Sequence, residues 1–271
     1  MQKNTPISPA QAVAQQESAI RPGLTEDGFL NGRLRILQPE KGFRAGIDSV
    51  FLAATIPCEP GETIFEAGIG TGVAALCLAA RVQNIKITGV EMSGRYAMIG
   101  QKNAVNNGFE ASIRYITGDI KDAMRQDLVD WPPHGSFNHA FANPPFFDDS
   151  KIFKSPSPLK AAANGFGPQD LELWVKVLAT MVANRGTVTF VHRADAMGRL
   201  LTAMESRFGD IRVAPLHARQ GMAATRVIIQ GVKHSKGPLQ LLPGLVLHED
   251  GNQFTPEANA ILRDGMAWQL R

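Results

Sequence analysis

Residues 62–72 read Glu-Thr-Ile-Phe-Glu-Ala-Gly-Ile-Gly-Thr-Gly, and this stretch decides the fold. An apolar run ends at Glu66, three glycines follow at alternate positions, and an Ala/Leu-rich segment begins directly after them. This order predicts a buried parallel strand, a tight turn that requires glycine, and the first turn of a helix. In such a loop a ligand can lie against bare backbone, with the N–H groups of the helix start directed towards it.

Short β-branched runs and longer amphipathic segments alternate along the rest of the chain. The predicted strands lie near 62–66, 85–90, 112–117, 137–142, 186–191, 211–217 and 225–231, and the predicted helices near 72–82, 94–107, 120–129, 168–184 and 195–207. This alternation predicts an α/β fold with helices on both faces of a parallel sheet. Because the last two strands have a short connection, they should pair antiparallel, which gives a seven-stranded, mostly parallel sheet with an antiparallel final strand.

The two ends of the chain complete the predicted organisation. Residues 1–26 are polar and interrupted by prolines, so we expect a flexible tail. A strand-like segment follows from Asp27 to Pro39, with a hairpin turn at Asn31-Gly32, and a helix is predicted near 47–56. Residues 27–271 should form a single domain, because the strand-like piece and short helix after residue 239 are too short to fold alone.

Composition and charge fit an ordinary globular protein. The net charge is +3, so an anionic partner is permitted but not required. No apolar run approaches the roughly 20 residues of a membrane span, and the first 20 residues lack the basic start and apolar core of a secretory signal. The chain has two cysteines, Cys58 and Cys77, too few for a disulfide framework. We therefore expect a cytoplasmic protein with reduced cysteines.

Acidic residues follow the first three predicted strands. Glu91 ends the second strand, about 20 residues after the glycines, where an acid in nucleotide-binding units binds ribose hydroxyls. Asp119 follows the third strand, where it would accept a hydrogen bond from an adenine amino group, cap the next helix, or do both. Glu66 would accept from the loop or from a cationic ligand group. For Glu66 and Glu91 the alternative is a solvated acid at a strand end.

The fourth predicted strand ends in Asn143-Pro144-Pro145-Phe146. The two prolines remove amide donors and stiffen the turn, so the Asn143 side-chain oxygen and a main-chain carbonyl can both accept from one planar NH₂ group. Phe146 offers a face for stacking a flat ring. A proline-rich turn capped by asparagine is the alternative, but the preceding glycine loop and acids favour a site for an amine.

This combination resembles the class I S-adenosylmethionine-dependent methyltransferases of the Asn-Pro-Pro-Phe/Tyr group, which methylate amino nitrogens and have a Rossmann-like fold. Within that group the sequence is most similar to the bacterial tRNA1(Val) adenine-N6 methyltransferase family. The likeness includes residues 38–48, 224–227 and 242–245, which flank the central motifs.

The resemblance implies S-adenosylmethionine as the cofactor. The 66–72 loop would hold its methionine end, Glu91 its ribose and Asp119 its adenine, while residues around 44–48 would close over it. The implied cofactor-binding residues are Arg44, Gly46, Asp48, Glu66, Ala67, Gly68, Gly70, Gly72, Glu91, Met92, Asp119, Ile120 and Asn143. The implied catalytic residues are Asn143, Pro144, Pro145 and Phe146.

The amine chemistry that the resemblance implies depends on positioning. An aromatic amine is a poor nucleophile because its lone pair is delocalised into the ring. Hydrogen bonds from its N–H groups to Asn143 Oδ1 and the Pro144 carbonyl would draw the nitrogen towards sp³ and aim the lone pair at the methyl group. Such a step needs no metal, and the six histidines form no pair with ligand spacing.

The predicted substrate contacts come mainly from the long connection at residues 148–168. It carries three lysines, which would contact RNA phosphates beside the base pocket, although a solvated loop is the alternative. A base inside a folded RNA must also be unstacked to enter the pocket. The predicted substrate-binding residues are Phe146, Phe147, Lys151, Lys154, Lys160 and Arg226.

The leading interpretation is a methyltransferase acting on N6 of an adenine in tRNA near the anticodon, as a monomer or weak homodimer with no membrane partner. The same chemistry on rRNA, DNA or protein glutamine stays open, as does a catalytically silent module that binds cofactor or RNA. The intact Asn-Pro-Pro-Phe argues against a silent module, because a pure binder has no need of an amine clamp. Small-molecule O-methyltransferases generally lack this tetrapeptide.

Overall fold

The structure, a computed structural model, describes residues 23–125, 127–145 and 170–271. Its strands are β1 (Leu24–Phe29), β2 (Leu34–Pro39), β3 (Thr63–Ala67), β4 (Lys86–Glu91), β5 (Ile113–Thr117), β6 (Phe137–Ala142), β7 (Val182–Arg193), β8 (Phe208–His217), β9 (Ala224–Lys233), β10 (Gln240–Leu241) and β11 (Leu245–Val246). Its α-helices are α1 (Ile47–Thr55), α2 (Val73–Arg81), α3 (Gly94–Asn106), α4 (Asp170–Met181), α5 (Met197–Glu205) and α6 (Pro256–Asp264).

The main sheet has the predicted topology. Its strands lie in the order β10-β8-β9-β7-β6-β3-β4-β5, with β11 also beside β8. The strands from β5 to β7 are parallel to one another, and β9 runs antiparallel to both β7 and β8. The short strands β10 and β11 extend the predicted seven to nine. Because the strand order reverses between β3 and β6, their carboxyl ends open a crevice of the kind that binds ligands in such sheets.

Helices cover both faces of this sheet, as predicted, because neighbouring residues of the buried strands point to opposite sides. Ile64 of β3 belongs to one hydrophobic core, together with buried residues of α1, α2, α3 and α6. The next residue, Phe65, belongs to a second core, together with residues of α4 and α5. The central strands are therefore buried on both sides, and their carboxyl ends are where a site can open.

The predicted helix over residues 120–129 is wrong. The chain forms a 3₁₀ helix over Ile120–Met124, and Arg125 then takes an extended conformation with φ −92° and ψ 141°. The Arg125 guanidinium binds the Asp127 carboxylate, with Nε 3.1 Å from Oδ1. Ile120 and Ala123 pack into the second core, but Val129 is 98% exposed, so burial of this residue does not support further helical turns.

β1 and β2 form the predicted hairpin, which begins at Leu24 rather than at Asp27. In the turn, Asn31 and Gly32 have φ values of 56° and 80°. These left-handed conformations are those that asparagine and glycine tolerate best.

Two side-chain amides on α3 fix this hairpin to the sheet. Asn103 bonds to both backbone groups of Leu37, accepting from its N–H at 2.8 Å and donating to its carbonyl at 3.0 Å. One turn later, Asn107 bonds to Arg35 in the same way, at 3.0 and 2.9 Å. Asn103 Nδ2 also donates to the Thr71 carbonyl at 2.9 Å, so one buried side chain joins the hairpin to the glycine loop.

Across the three described ranges, no helix is both long and apolar enough to cross a membrane. The same residues contain no group of three or more His, Cys, Asp or Glu side chains placed to hold a metal ion.

Cys58 and Cys77 are buried and free. Burial raises the pKa of Cys77 to about 12, so its thiol stays protonated and unreactive.

Candidate active site

The three glycines after β3 all adopt positive φ values, of 68° at Gly68, 58° at Gly70 and 85° at Gly72. A Cβ at Gly68 would lie 2.7 Å from Cη2 of Trp174, and one at Gly72 would lie 2.1 Å from the hydroxyl of Tyr115. Conformation and close approach therefore both require glycine there. At Gly70 a Cβ would meet nothing within 4 Å, so the loop presents bare backbone to open space.

A cavity with an empty volume of about 770 Å³, including its open mouth, lies at the carboxyl edge of the parallel strands. Its wall combines the glycine loop with residues that follow β4, β5 and β6. The lining residues are Phe43, Gly68, Gly70, Glu91, Met92, Tyr96, Asp119, Ile120, Asn143, Pro145 and Trp174. The structure thus brings together in one cavity motifs that the sequence predicted at four separate strand ends.

Glu91 connects the end of β4 to the glycine loop. Its Oε2 accepts a hydrogen bond from the Gly70 N–H at 3.0 Å, and its Oε1 accepts from the Ser93 N–H at 2.8 Å. Burial raises the pKa of Glu91, and the N–H groups of Ser93, Gly70 and Met92 partly oppose this rise. The carboxylate is therefore held in a fixed orientation in the cavity wall, where it can also accept from a ligand hydroxyl.

Asp119 lies on the same wall and also caps the 3₁₀ helix. Its Oδ1 accepts from the Lys121 N–H at 3.0 Å, which confirms the predicted capping role. Its role towards an adenine amino group stays a prediction. Met92 and Ile120, which follow Glu91 and Asp119, add apolar surface to the wall. Carboxylates beside apolar side chains suit a ligand that has both a flat ring and hydroxyl or amino groups.

The Asn143-Pro144-Pro145 turn directly follows β6. In the sheet, Ala142 at the end of β6 pairs with Ala67 at the end of β3, so this turn and the glycine loop leave the sheet side by side. Asn143 and Pro145 are half-buried and line the cavity, and Pro144 is buried. The other residues of the predicted substrate segment, Phe146, Phe147, Lys151, Lys154 and Lys160, lie outside the described residues.

Glu66 lies beneath the glycine loop rather than in the cavity wall. It is 3% exposed, and its Oε2 has no hydrogen-bond partner in the described part of the chain. Burial raises the pKa of Glu66 well above its usual range, and a hydrogen bond from the Ala75 N–H opposes the rise. The neutral acid is therefore favoured, and a direct contact with a bound cofactor stays a prediction.

Arg44, Gly46 and Asp48, predicted to close over a cofactor, are absent from the described lining of the cavity. The Arg44 guanidinium is bound to the hairpin, with Nη2 2.5 Å from Asp27 Oδ2. Asp48 pairs with Arg226, with Oδ2 3.0 Å from Nε. Residues 40–46 are here called the strap. The Arg44 contact ties the strap to the hairpin, the Asp48 contact ties the helix that follows it to β9, and Phe43 of the strap reaches the cavity.

Three aromatic residues of the wall, Phe43, Tyr96 and Trp174, were not predicted. Trp174 lies on α4, is 4% exposed and packs its ring edge against Gly68. A single aromatic in an amphipathic helix carries no signal that separates a cavity wall from a core position. Phe43 lies within residues 38–48, which supported the resemblance, and it precedes the predicted cofactor-binding residue Arg44. This position in the sequence could have indicated that Phe43 lies at the site.

Comparison with known proteins agrees with the fold. Residues 44–163 match the model of the methyltransferase small domain. The chain is 24% identical to the tRNA1(Val) (adenine(37)-N6)-methyltransferase of Actinobacillus succinogenes, over 88% of this chain and 96% of the relative. It is 25% identical to the protein of the same name from Haemophilus influenzae, over 88% of this chain and 97% of the relative.

Solved structures show the same fold. A predicted O-methyltransferase, Atu636 from Agrobacterium tumefaciens, is similar with a TM-score of 0.68 and 24% identity, over 82% of this chain and 98% of that one. The tRNA (m1A58) methyltransferase TrmI from Aquifex aeolicus is similar with a TM-score of 0.52 and 17% identity, over 73% of each chain. The strand order and these likenesses show that the chain has the Rossmann-like fold of the class I methyltransferases.

Proposed function

We propose that the chain transfers the methyl group of S-adenosylmethionine to N6 of an adenine in tRNA, at position 37 beside the anticodon. One observation supports this most directly: the Asn143-Pro144-Pro145 turn lines the same cavity as the glycine loop, Glu91 and Asp119. The relatives that carry the name tRNA1(Val) (adenine(37)-N6)-methyltransferase resemble the chain over most of its length, which supports the choice of substrate.

The cavity fits S-adenosylmethionine. The bare backbone at Gly70 leaves room for the methionine end. Glu91 would accept from the ribose hydroxyls and Asp119 from the adenine amino group, while Met92 and Ile120 would contact the ring. When bound, this cofactor supplies an activated methyl group.

Asn143 would hold the target amino group. Its Oδ1 and the Pro144 carbonyl can both accept from the two N–H groups of one amine, and the two prolines contribute no N–H of their own to compete. Accepting both bonds fixes the orientation of the amine and draws its lone pair out of conjugation with the ring. The chain's contribution to the rate would then be positioning and a preorganised polar environment.

Three arginines on the carboxyl edge of the sheet support an RNA substrate, and two of them, Arg193 and Arg226, would exchange their carboxylate partners for phosphates. Arg193 ends β7, Arg226 lies near the start of β9, and Arg219 lies between β8 and β9, so all three are on the edge that contains the cavity. Lys233, at the other end of β9, lies on the opposite edge. RNA whose base enters the cavity would meet the arginines first.

The test is incubation with methyl-labelled S-adenosylmethionine and, separately, total tRNA, rRNA, DNA and protein. We expect label in tRNA, and digestion to nucleosides should yield N6-methyladenosine. Label in another fraction and none in tRNA would reassign the substrate. If no fraction takes up label although the protein binds S-adenosylhomocysteine, the chain is a binding module instead.

The RNA contact has its own test in the salt dependence of tRNA binding. Arg226→Gln should lower the slope of log affinity against log salt by about one, as expected for one lost phosphate contact. Lys233→Gln, at the far end of the same strand, is the matched control and should leave the slope unchanged. Equal slopes for Arg226→Gln and the wild type would remove Arg226 from the RNA contact.

A further inference from the structure

Phe43 lines the cavity yet is 52% exposed. A half-exposed aromatic ring in the wall of a ligand cavity carries apolar surface that gains free energy when a flat or apolar ligand group covers it. Phe43 lies on the strap, outside the sheet. The contacts of the strap therefore determine whether Phe43 has a fixed position in the cavity wall before a ligand binds.

One hydroxyl fixes the backbone of Phe43 on both sides. The Phe43 N–H donates to the hydroxyl oxygen of Tyr96 at 3.1 Å, and the same hydroxyl donates to the Phe43 carbonyl at 3.2 Å. The preceding Gly42 has a φ of 111°, and a Cβ there would lie 2.8 Å from the Tyr96 hydroxyl. The turn is thus built around this hydroxyl, which occupies the space that glycine leaves.

The next part of the strap is held in a similar way. Gln38 is 2% exposed, and its carboxamide accepts from the Ala45 N–H at 2.8 Å and donates to the Ala45 carbonyl at 3.1 Å. Arg44, between Phe43 and Ala45, is bound to the hairpin through Asp27. Arg44 and Ala45, the two residues after Phe43, are both anchored, so the position of Phe43 is largely set before any ligand binds. A preorganised contact of this kind loses little conformational entropy on binding.

Tyr96 also indicates which part of a ligand Phe43 would meet. It lies in the first turn of α3, where its N–H donates to the capping Ser93 at 3.4 Å. Ser93 in turn donates to Glu91, the residue proposed to bind the ribose. Phe43 therefore adjoins the nucleoside end of the cavity.

We propose that Tyr96 is a positioning residue that holds Phe43 against the thionucleoside part of the bound cofactor. This inference rests on the proposed function, because it takes the cofactor to be S-adenosylmethionine. Phe43 supplies the contact, and the Tyr96 hydroxyl supplies its fixed position.

The first experiment removes only the hydroxyl. Tyr96→Phe should weaken the binding of S-adenosylhomocysteine, measured by calorimetry, by about five-fold, the scale of one hydrogen bond. Tyr115→Phe is the matched control, because the buried Tyr115 hydroxyl has no hydrogen-bond partner in the described residues and the residue does not line the cavity. An affinity in Tyr96→Phe equal to that of the wild type would overturn the proposal.

The second experiment identifies the part of the ligand involved. 5′-Methylthioadenosine lacks the amino-acid portion, so Tyr96→Phe should weaken its binding by the same factor. A loss that appears only with S-adenosylhomocysteine would place Phe43 at the amino-acid end and contradict the proposal.

A double-mutant cycle tests whether Tyr96 acts through Phe43. Phe43→Ala should weaken S-adenosylhomocysteine binding by about ten-fold, and adding Tyr96→Phe to it should cause no further loss. Fully additive losses would show that the two residues act independently and would overturn the proposal.

Steady-state kinetics separates positioning from a general structural role. Tyr96→Phe should raise the KM for the cofactor and leave the KM for RNA and kcat at saturating cofactor unchanged. A fall in kcat with an unchanged cofactor KM would count against the proposal. A wild-type protein that binds no S-adenosylhomocysteine would instead overturn the proposed function itself.

Discussion

The two sides of the cavity are held in place by different kinds of contact. The glycine loop and the Asn143 turn leave the ends of paired strands, so their positions follow from the sheet and from residues adjacent in sequence. The strap is held by side chains of Gln38 and Tyr96 that bond to its backbone. The positions of the glycine loop and the Asn143 turn can be inferred from local sequence motifs. The position of the strap depends instead on which side chains, distant in sequence, bond to its backbone.

The largest effect is expected at Asn143, which belongs to the side of the cavity formed by the glycine loop and the Asn143 turn, here called the motif side. Asn143→Ala removes one of the two proposed acceptors for the amine and should lower kcat by about 10²- to 10³-fold, the scale of one lost transition-state hydrogen bond. Binding of S-adenosylhomocysteine should persist, because the other residues of the cavity remain. Both quantities can be measured, with labelled cofactor and by calorimetry.

Asn138→Ala is the matched control at the other end of β6. The Asn138 side chain bonds to Thr63, away from the cavity, so its loss should leave kcat nearly unchanged. Wild-type activity in Asn143→Ala would rule out the amine clamp.

The glycine loop offers a comparison inside one motif. Gly68→Ala combines a left-handed backbone with a Cβ 2.7 Å from Trp174, whose ring is buried, and should lower the free energy of unfolding by about 2–4 kcal/mol. Gly70→Ala has the strained backbone but open space, and should cost only about 1 kcal/mol. Its methyl group would instead reduce cofactor affinity. Urea unfolding measures both, and equal destabilisation would contradict the assigned packing.

Much of the motif side could be predicted from sequence for a physical reason. Glycine is the residue that best tolerates a positive φ, so glycines at positions 68 and 72 predict a left-handed backbone conformation there. Carboxyl ends of parallel strands share one edge, so Glu91, Asp119 and Asn143 had to lie near one another. The topology of the sheet followed from the same alternation of strands and helices.

The strap side could not be predicted, because its contacts are long-range. The bond between Phe43 and Tyr96 joins residues 53 positions apart, and the choice of partner depends on how α3 packs against the hairpin. The burial of Glu66 was missed for a similar reason, since a strand-end acid looks the same in sequence whether it faces solvent or the core. The helix predicted over 120–129 ends early because Ile120 and Ala123 pack on the core whereas Val129 stays exposed, so further turns would bury no more of it.

Asn103 connects the two sides, and its replacement tests how much each depends on the other. Asn103 is fully buried, so Asn103→Ala would leave the backbone groups of Leu37 and the Thr71 carbonyl without partners, at a cost of about 2–3 kcal/mol. Asn107→Ala removes the same pattern of bonds at a more exposed position, where water can replace them, and should cost less than about 1 kcal/mol. Urea unfolding of both variants gives the comparison, and equal losses would contradict it.

The last prediction concerns Glu66, where the glycine motif meets the core, and its effect appears as a dependence on pH. Burial raises the pKa of Glu66 well above its ordinary value of 4.5. Between that value and the raised one, the folded protein holds a proton that the unfolded chain has lost, so stability falls as pH rises, by up to about 1.4 kcal/mol per pH unit. Glu66→Gln has no such proton, and its amide oxygen can still accept from the Ala75 N–H.

The stability of Glu66→Gln relative to the wild type should therefore increase as the pH rises from about 4.5 towards the raised pKa of Glu66. The pKa of Glu91 is also raised. Glu91 is present in both proteins, so only its electrostatic interaction with Glu66 contributes to the difference. Urea unfolding at several pH values supplies the measurement. A difference that stays flat over this range would mean that Glu66 is solvated in the native protein, and the glycine loop would then be open to water from below as well as from the cavity.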